Sequence, residues 1–222
     1  GEIDKALLYL RKSIESRKDT TDFATIANTT DVLSEIIVQV AIIDAVGIMR
    51  ASNAGPQPAP LVDLSDREHF RVHLNSITDQ IFISRPVVGR VSGKWSVQIT
   101  RRFLNSDKSF GGVVVASLDP EHLTKFYEKI DFGSPVSISL IGDDGVARSS
   151  GGSAGGYKLG QDLAGTEMFN RMQSGANTTF EDNSFAEGEA QLVTIRKVKG
   201  HPLWVSVSSN KNEIFKDSLS AL

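Results

Sequence analysis

The feature that most limits what this chain can fold into is an internal repeat. VAIIDAVGIMRAS, starting at Val40, aligns without a gap on ISLIGDDGVARSS, starting at Ile138. Gly47 falls on Gly145, Arg50 on Arg148 and Ser52 on Ser150. One residue out of that phase, DLSDREHF falls on DLAGTEMF, so that Asp63 meets Asp162, Leu64 meets Leu163, Glu68 meets Glu167 and Phe70 meets Phe169. WSVQITRR then has a counterpart in QLVTIRKV, and GGVVVASL has one in PLWVSVSS. Matches in the same order and nearly the same phase mean one supersecondary design used twice. A chain of 222 residues has room for two modules of roughly 100 residues each. The expected organisation is a helical segment at 1–35, a first module at 36–131, a second at 132–210 and an exit helix at 211–222. The fold class expected is α+β: a long N-terminal helix and two tandem modules, each an antiparallel sheet flanked by helices.

Taken in order, Ile3, Leu7, Leu10 and Ile14 form an apolar stripe at heptad-like spacing. Such a stripe either packs on its own domain or pairs with a second copy of the chain. Residues 19–22 are a polar break, and 23–35 read as further helix. Residues 36–43 are β-rich and almost wholly apolar, which predicts a buried strand. A turn at 44–47 and a return strand at 48–52 follow, then a proline-rich surface loop at 53–60. Ser65 or Asp66 is placed to cap a short helix carrying Glu68, Phe70 and Leu74. FISRPVVG and WSVQITRRF read as a hairpin with Ser92-Gly93 at its tip. A second hairpin lies at 105–109, the run 113–115 closes the sheet, and Asp119-Pro120 opens a helix through Tyr127.

The differences between the copies locate a candidate site. The short helix of the first copy carries Arg67, His69, Arg71 and His73, where the second has Thr166, Met168, Asn170 and Met172. Fixed cations beside a pocket favour anionic ligands through charge-assisted hydrogen bonds. By this argument the first module binds and the second supports. Arg67 either holds a carboxylate or pairs with Asp63 or Asp66. His69 and His73, four residues apart, are either a metal pair or hydrogen-bonding histidines; no third ligand is evident. Trp95 either walls the pocket or fills the core. Ser84, Gln98 and Ser117 are polar residues in apolar strands, lining a site if that face is covered by the helix and ordinary if it meets water. Arg90, near the hairpin tip, either swings over a ligand or is solvated.

Other classes are disfavoured. Net charge is −3, with 24 basic and 27 acidic residues mixed along the chain. That gives no basic stripe for nucleic acid. There is no cysteine, hence neither a disulfide framework nor a thiolate metal site. Asp143-Asp144-Gly145 lacks the spaced carboxylates of a calcium loop and reads as a turn. GGSAGG near Gly151 lacks the strand–helix context of a phosphate loop. No nucleophile–base constellation stands out, so an enzyme is the weaker class and no cofactor is expected. The longest apolar run is far shorter than the ~20 residues that span a bilayer. The chain begins with Gly and both ends read as helix, as expected of a piece cut from a longer protein.

The long first helix, the tandem modules, DLSDREHF, SRPVVGRVSGKWSVQITRR, GGVVVASLD and the closing LVTIRKVKGHPLWVSVSSNKNEIF together resemble the double Cache (PDC-type, tandem PAS-like) sensor domains. The resemblance covers essentially the whole chain. It implies a periplasmic or extracellular position between two transmembrane helices, with a histidine kinase, diguanylate cyclase or chemoreceptor as output. It also implies a small-molecule pocket in the membrane-distal module, the first one here. Amino-acid-binding members carry Arg-x-Trp-Tyr on the pocket helix and an Asp in the last strand of that module. Here Arg67 matches the arginine, His69 and Phe70 stand where Trp and Tyr would, and Ser117 stands where the Asp would. An ammonium group would lose its partner, so the resemblance implies an organic acid rather than an amino acid. A homodimer through the N-terminal helix is a further expectation. The competing readings are a partner-binding ectodomain without a small ligand and a small hydrolase using His69 and His73.

Overall fold

Gly47 and Gly145 close equivalent hairpins with φ of 94° and 77°, a left-handed conformation that side chains other than glycine resist. Space forbids a side chain too: a Cβ on Gly47 would stand 2.5 Å from Ser65 Cα, and one on Gly145 would stand 2.6 Å from the Phe169 ring. Each glycine carbonyl accepts the next repeat landmark, Leu64 N at 2.8 Å and Leu163 N at 3.0 Å. The DL motif recurs because its backbone is pinned to this turn.

The computed structural model describes residues 2–17, 37–56, 58–90, 92–131, 133–153, 156–183, 185 and 190–210. The chain divides into two units, Gly1–Asp119 and Pro120–Leu222. The first holds α1 (Glu2–Arg17), β1 (Ile37–Asp44), β2 (Ile48–Ser52), β3 (Val62–Asp63), α2 (Glu68–Leu74), β4 (Phe82–Val88), β5 (Trp95–Leu104) and β6 (Phe110–Leu118). The second holds α3 (Pro120–Glu128), β7 (Val136–Gly142), β8 (Ala147–Gly152), α4 (Glu167–Gln173), β9 (Thr178–Asp182), β10 (Gln191–Lys197) and β11 (Leu203–Asn210). The sheets run β3-β2-β1-β6-β5-β4 and β8-β7-β11-β10-β9, with every pairing antiparallel. Strip β3 from the first and the orders are identical. Even β3 has a remnant: Ile48 pairs with Asp63 in one unit, and Val146 bridges Asp162 in the other. The boundary expected at 131–132 differs from the divide at Asp119 and Pro120. The reason is α3, which packs on β8 of the second unit, Thr124 Oγ1 donating to Ser150 O at 2.6 Å.

Strand β5 shows how the first sheet serves two helices. Its side chains alternate between faces. Arg101 reaches α1, Nε donating to Asp4 Oδ1 at 2.6 Å. Thr100 reaches α2, Oγ1 donating to His69 O at 3.2 Å. Leu7 and Leu10 of α1 are 0% and 1% exposed and pack toward β5 and β6. The middle of the apolar stripe therefore packs on its own domain, the first of the two readings of the stripe. Burying two leucines contributes roughly 1.5–3 kcal/mol each, reason enough for the stripe without a second copy. The further helix expected at 23–35 and the exit helix at 211–222 lie outside the described residues. Among the described residues no helix is long and apolar enough to cross a membrane.

In each unit the short helix lies on its sheet through the same positions. Met168 and Met172 of α4 join Ile141, Val193, Ile195 and Trp204 in one core. Phe70 of α2 joins Ile43, Met49, Leu64, Val113 and Val115 in the other. His69 and His73, aligned with the two methionines, are likewise buried.

Candidate ligand-binding site

Between α2 and the first sheet lies a cavity of about 40 Å³. Its apolar wall is Ala41, Ile43, Met49, Leu64, Val87 and Val115, and its polar wall is Gln39, Arg67, His69, Gln98 and Ser117. No acidic residue is among the described residues that line it. Strand register builds the polar wall. Gln98 of β5 pairs with Ser117 of β6, which pairs with Gln39 of β1, so one polar row crosses three central strands. Ser117 Oγ donates to Gln98 Oε1 at 2.7 Å, and Gln98 Nε2 donates to Ser96 Oγ at 2.8 Å. Gln39 Nε2 donates to Ser52 Oγ at 2.8 Å. Larger, open clefts lie beside Arg11 and Arg102 (about 710 Å³) and beside Tyr127 and Pro135 (about 490 Å³). The first meets only the last residue of α2, Leu74, and neither is lined by Arg67 or His69.

Arg67 occupies the N-cap position of α2, in extended conformation and without a side-chain cap hydrogen bond. The cap expected of Ser65 or Asp66 is not formed there. In the second unit Thr166 holds the equivalent position and accepts from Phe169 N at 3.3 Å. The first unit has a guanidinium where its twin has a capping hydroxyl, and a cap is worth about 1 kcal/mol. Arg67 Nη2 donates to Val88 O at 3.2 Å, across to the end of β4. Arg90 makes a second tie between the same walls. It binds Asp66 bidentately, both contacts 2.9 Å, and also reaches Asp63 O. The Arg90 guanidinium holds the Asp66 carboxyl below the usual carboxylate range.

His69 lines the cavity, and burial chiefly, then the charge of Arg67, brings it down to about 4. It is a neutral imidazole near neutral pH. His73 lies off the cavity lining. Its Nε2 lies 2.8 Å from Thr100 Oγ1, and its ring meets Phe82 edge-on at 6.4 Å. Burial, then Arg102 and Arg101, bring it also to about 4.

The structure thus brings together Arg67, His69, Gln98 and Ser117, four of the residues singled out in the sequence. Phe70, His73, Ser84, Arg90 and Trp95 lie off the lining. Phe70 is core, its ring centroid 6.0 Å from that of Phe110. Trp95 is 55% exposed, so it lies off the lining of this cavity and outside the buried core. Ser84 mends a β-bulge: the β4–β5 register shifts between Ile83 and Pro86, and Ser84 Oγ there accepts Gln98 N at 2.9 Å. Gln39 is the polar lining residue that sequence reasoning missed. Its signal was a lone amide in the otherwise apolar run IIVQVAII.

The sequence matches no family model, and no curated protein matches it either. Solved structures do. The extracellular domain of the candidate histidine kinase rpHK1S-Z16 is 26% identical, with a TM-score of 0.82 over 96% of this chain and 87% of that one. The ligand-binding domain of the Pseudomonas fluorescens chemoreceptor CtaA, solved with L-alanine, is 15% identical, with a TM-score of 0.66 over 94% and 88%. That of the Pseudomonas aeruginosa PAO1 chemoreceptor PctC, solved with GABA, is 17% identical, with a TM-score of 0.60 over 93% and 89%. With its N-terminal helix and tandem antiparallel sheets of matching order, the chain has the double Cache fold, that of the extracellular domains of histidine kinases and chemoreceptors.

Proposed function

We propose that the first unit binds a small carboxylate-bearing metabolite in the cavity under α2, with Arg67 holding the carboxylate. The domain would stand in the periplasm, tethered to the membrane in its full-length receptor, and report occupancy to a kinase-type output. The observation that carries this reading is the lining: one guanidinium, no acid among the described residues, and that guanidinium seated where the twin unit has a helix cap. A free amino acid brings an ammonium group as well, and an ammonium taken out of water needs a paired charge. The similar structures solved with L-alanine and GABA hold zwitterions; with no carboxylate among the described lining residues, the cavity favours an acid without an amine.

Calorimetry and thermal shift with short organic acids test it. A charge-assisted hydrogen bond contributes roughly 1.5–3 kcal/mol, so Arg67→Ala should weaken the acid that binds by about ten- to a hundredfold. An Arg67→Ala protein that binds as tightly as wild type sinks the assignment, as does a ligand found in the second unit.

A further inference from the structure

The polar row of the cavity has a direction, fixed by where its hydroxyl protons go. A backbone carbonyl can only accept. Ser52 Oγ gives its proton to Ala54 O at 3.0 Å. It must then accept from Gln39, so the Gln39 amide presents Nε2 to Ser52 and Oε1 is the end the contact leaves over. The second chain runs the same way. Ser96 Oγ lies 3.5 Å from Val87 O, Gln98 Nε2 donates to Ser96, and Ser117 Oγ donates to Gln98 Oε1. Ser117 has then spent its one proton and keeps lone pairs only. Both chains start at the cavity with an acceptor and end on a carbonyl of the protein. Gln39 and Ser117 are cross-strand partners, so the two acceptors are neighbours.

From this we propose that the ligand is a small hydroxy-carboxylate, its carboxylate on Arg67 and its hydroxyl donating its one proton to the neighbouring acceptor pair, Gln39 Oε1 or Ser117 Oγ; this rests on the carboxylate reading above. An unsubstituted acid leaves both acceptors without hydrogens. A dicarboxylate sets a second anion against them. An amino acid supplies N–H donors, but with a charge that no described lining residue balances.

The test compares lactate, propionate, malonate and alanine on the whole 222-residue chain by calorimetry. Lactate should bind about tenfold or more tighter than propionate, and tighter than malonate and alanine. Gln39→Met and Ser117→Ala, each checked for folding by circular dichroism and melting, should lower lactate affinity more than propionate affinity, shrinking the ratio of the two toward one. The comparison of ligands on the wild type needs no variant. Propionate equal to lactate overturns the hydroxyl seat while leaving the carboxylate reading standing. Malonate tighter than lactate also overturns it, and alanine tighter than lactate replaces the hydroxyl with an ammonium. If none of the four binds, the carboxylate reading fails and this inference falls with it.

Discussion

His73 Nε2 lies 2.8 Å from Thr100 Oγ1, and Thr100 sends its own proton to His69 O at 3.2 Å. The hydroxyl has one proton, so His73 must be the donor, as the neutral Nε2–H tautomer. One threonine thus ties both histidines of α2 to β5, in the place where the twin helix packs methionines.

A pH dependence follows. Burial brings both His69 and His73 down to about 4 from an ordinary 6.5. In the unfolded chain they take up protons below about 6.5, while in the fold they stay neutral until about 4. The stability they contribute is complete above 6.5, shrinks as pH falls through the interval, and is gone below 4. The loss is on the order of 3 kcal/mol at most per histidine. Urea unfolding at pH 7.5, 6, 5 and 4.5 should show stability falling steadily. His73→Gln should start lower and fall less steeply; an equal slope in both proteins would mean that His73 takes up its proton at the same pH folded and unfolded.

The stripe on α1 yields a second prediction. Leu10 is 1% exposed within a single chain. Leu10→Ala should cost about 2–5 kcal/mol of stability, the usual range for such a truncation. Sedimentation of the still-folded variant should match wild type. A changed association state with unchanged stability would show that this face meets a partner instead.

The third concerns Arg101, which is 9% exposed and sits between two acids. Besides Asp4 it meets Asp79 Oδ1 at 2.7 Å, and Asp79 also takes Arg11 at 2.6 Å. The network fastens α1 and the segment after α2 to the same sheet. Removing one partner of a buried pair strands the other charge. The acids are the more exposed partners, and Asp79 keeps Arg11, so they tolerate being stranded better than the guanidinium does; Arg101→Met should therefore cost less than Asp4→Ala and Asp79→Ala combined. Chemical denaturation of the three proteins checks this, and the reverse order would mean that Arg101 is well solvated without its acids.

Much of the fold was legible because backbone geometry constrains sequence directly. Gly47 and Gly145 need a conformation other residues resist, and Leu64 and Leu163 hang on their carbonyls, so the motif had to recur. The candidate site was legible at Arg67 and His69, through the contrast with Thr166 and Met168. Trp95 could have been excluded: strand alternation puts 95 and 98 on opposite faces, so the two cannot line one cavity. Gln39 stood out as a lone amide in an apolar run, but pattern alone could not place it at the site. Its role depends on β1 pairing with β6, a contact between segments far apart in sequence. The bulge that gives Ser84 its task likewise depends on register between β4 and β5.

The last prediction exchanges function for stability at one position. Arg67 fills an N-cap position without capping, and Thr166 caps its twin. The substitution Arg67→Thr puts the twin's solution into the first unit. The new hydroxyl can reach the amide of Phe70, the residue aligned with Phe169, and should raise stability by about 0.5–1 kcal/mol. A chain that keeps a poorer cap keeps it for another reason, and binding is the reason proposed here. The same variant should lose about ten- to a hundredfold in affinity for the carboxylate ligand, because the charge-assisted contact is gone. Arg67→Ala separates the two effects, since it loses the ligand without gaining a cap. Melting and calorimetry on the two variants beside wild type give the answer. If Arg67→Thr is more stable and binds normally, the arginine is not the anion's anchor. If it is less stable, the contact of Arg67 with Val88 O outweighs the cap and the position serves the fold.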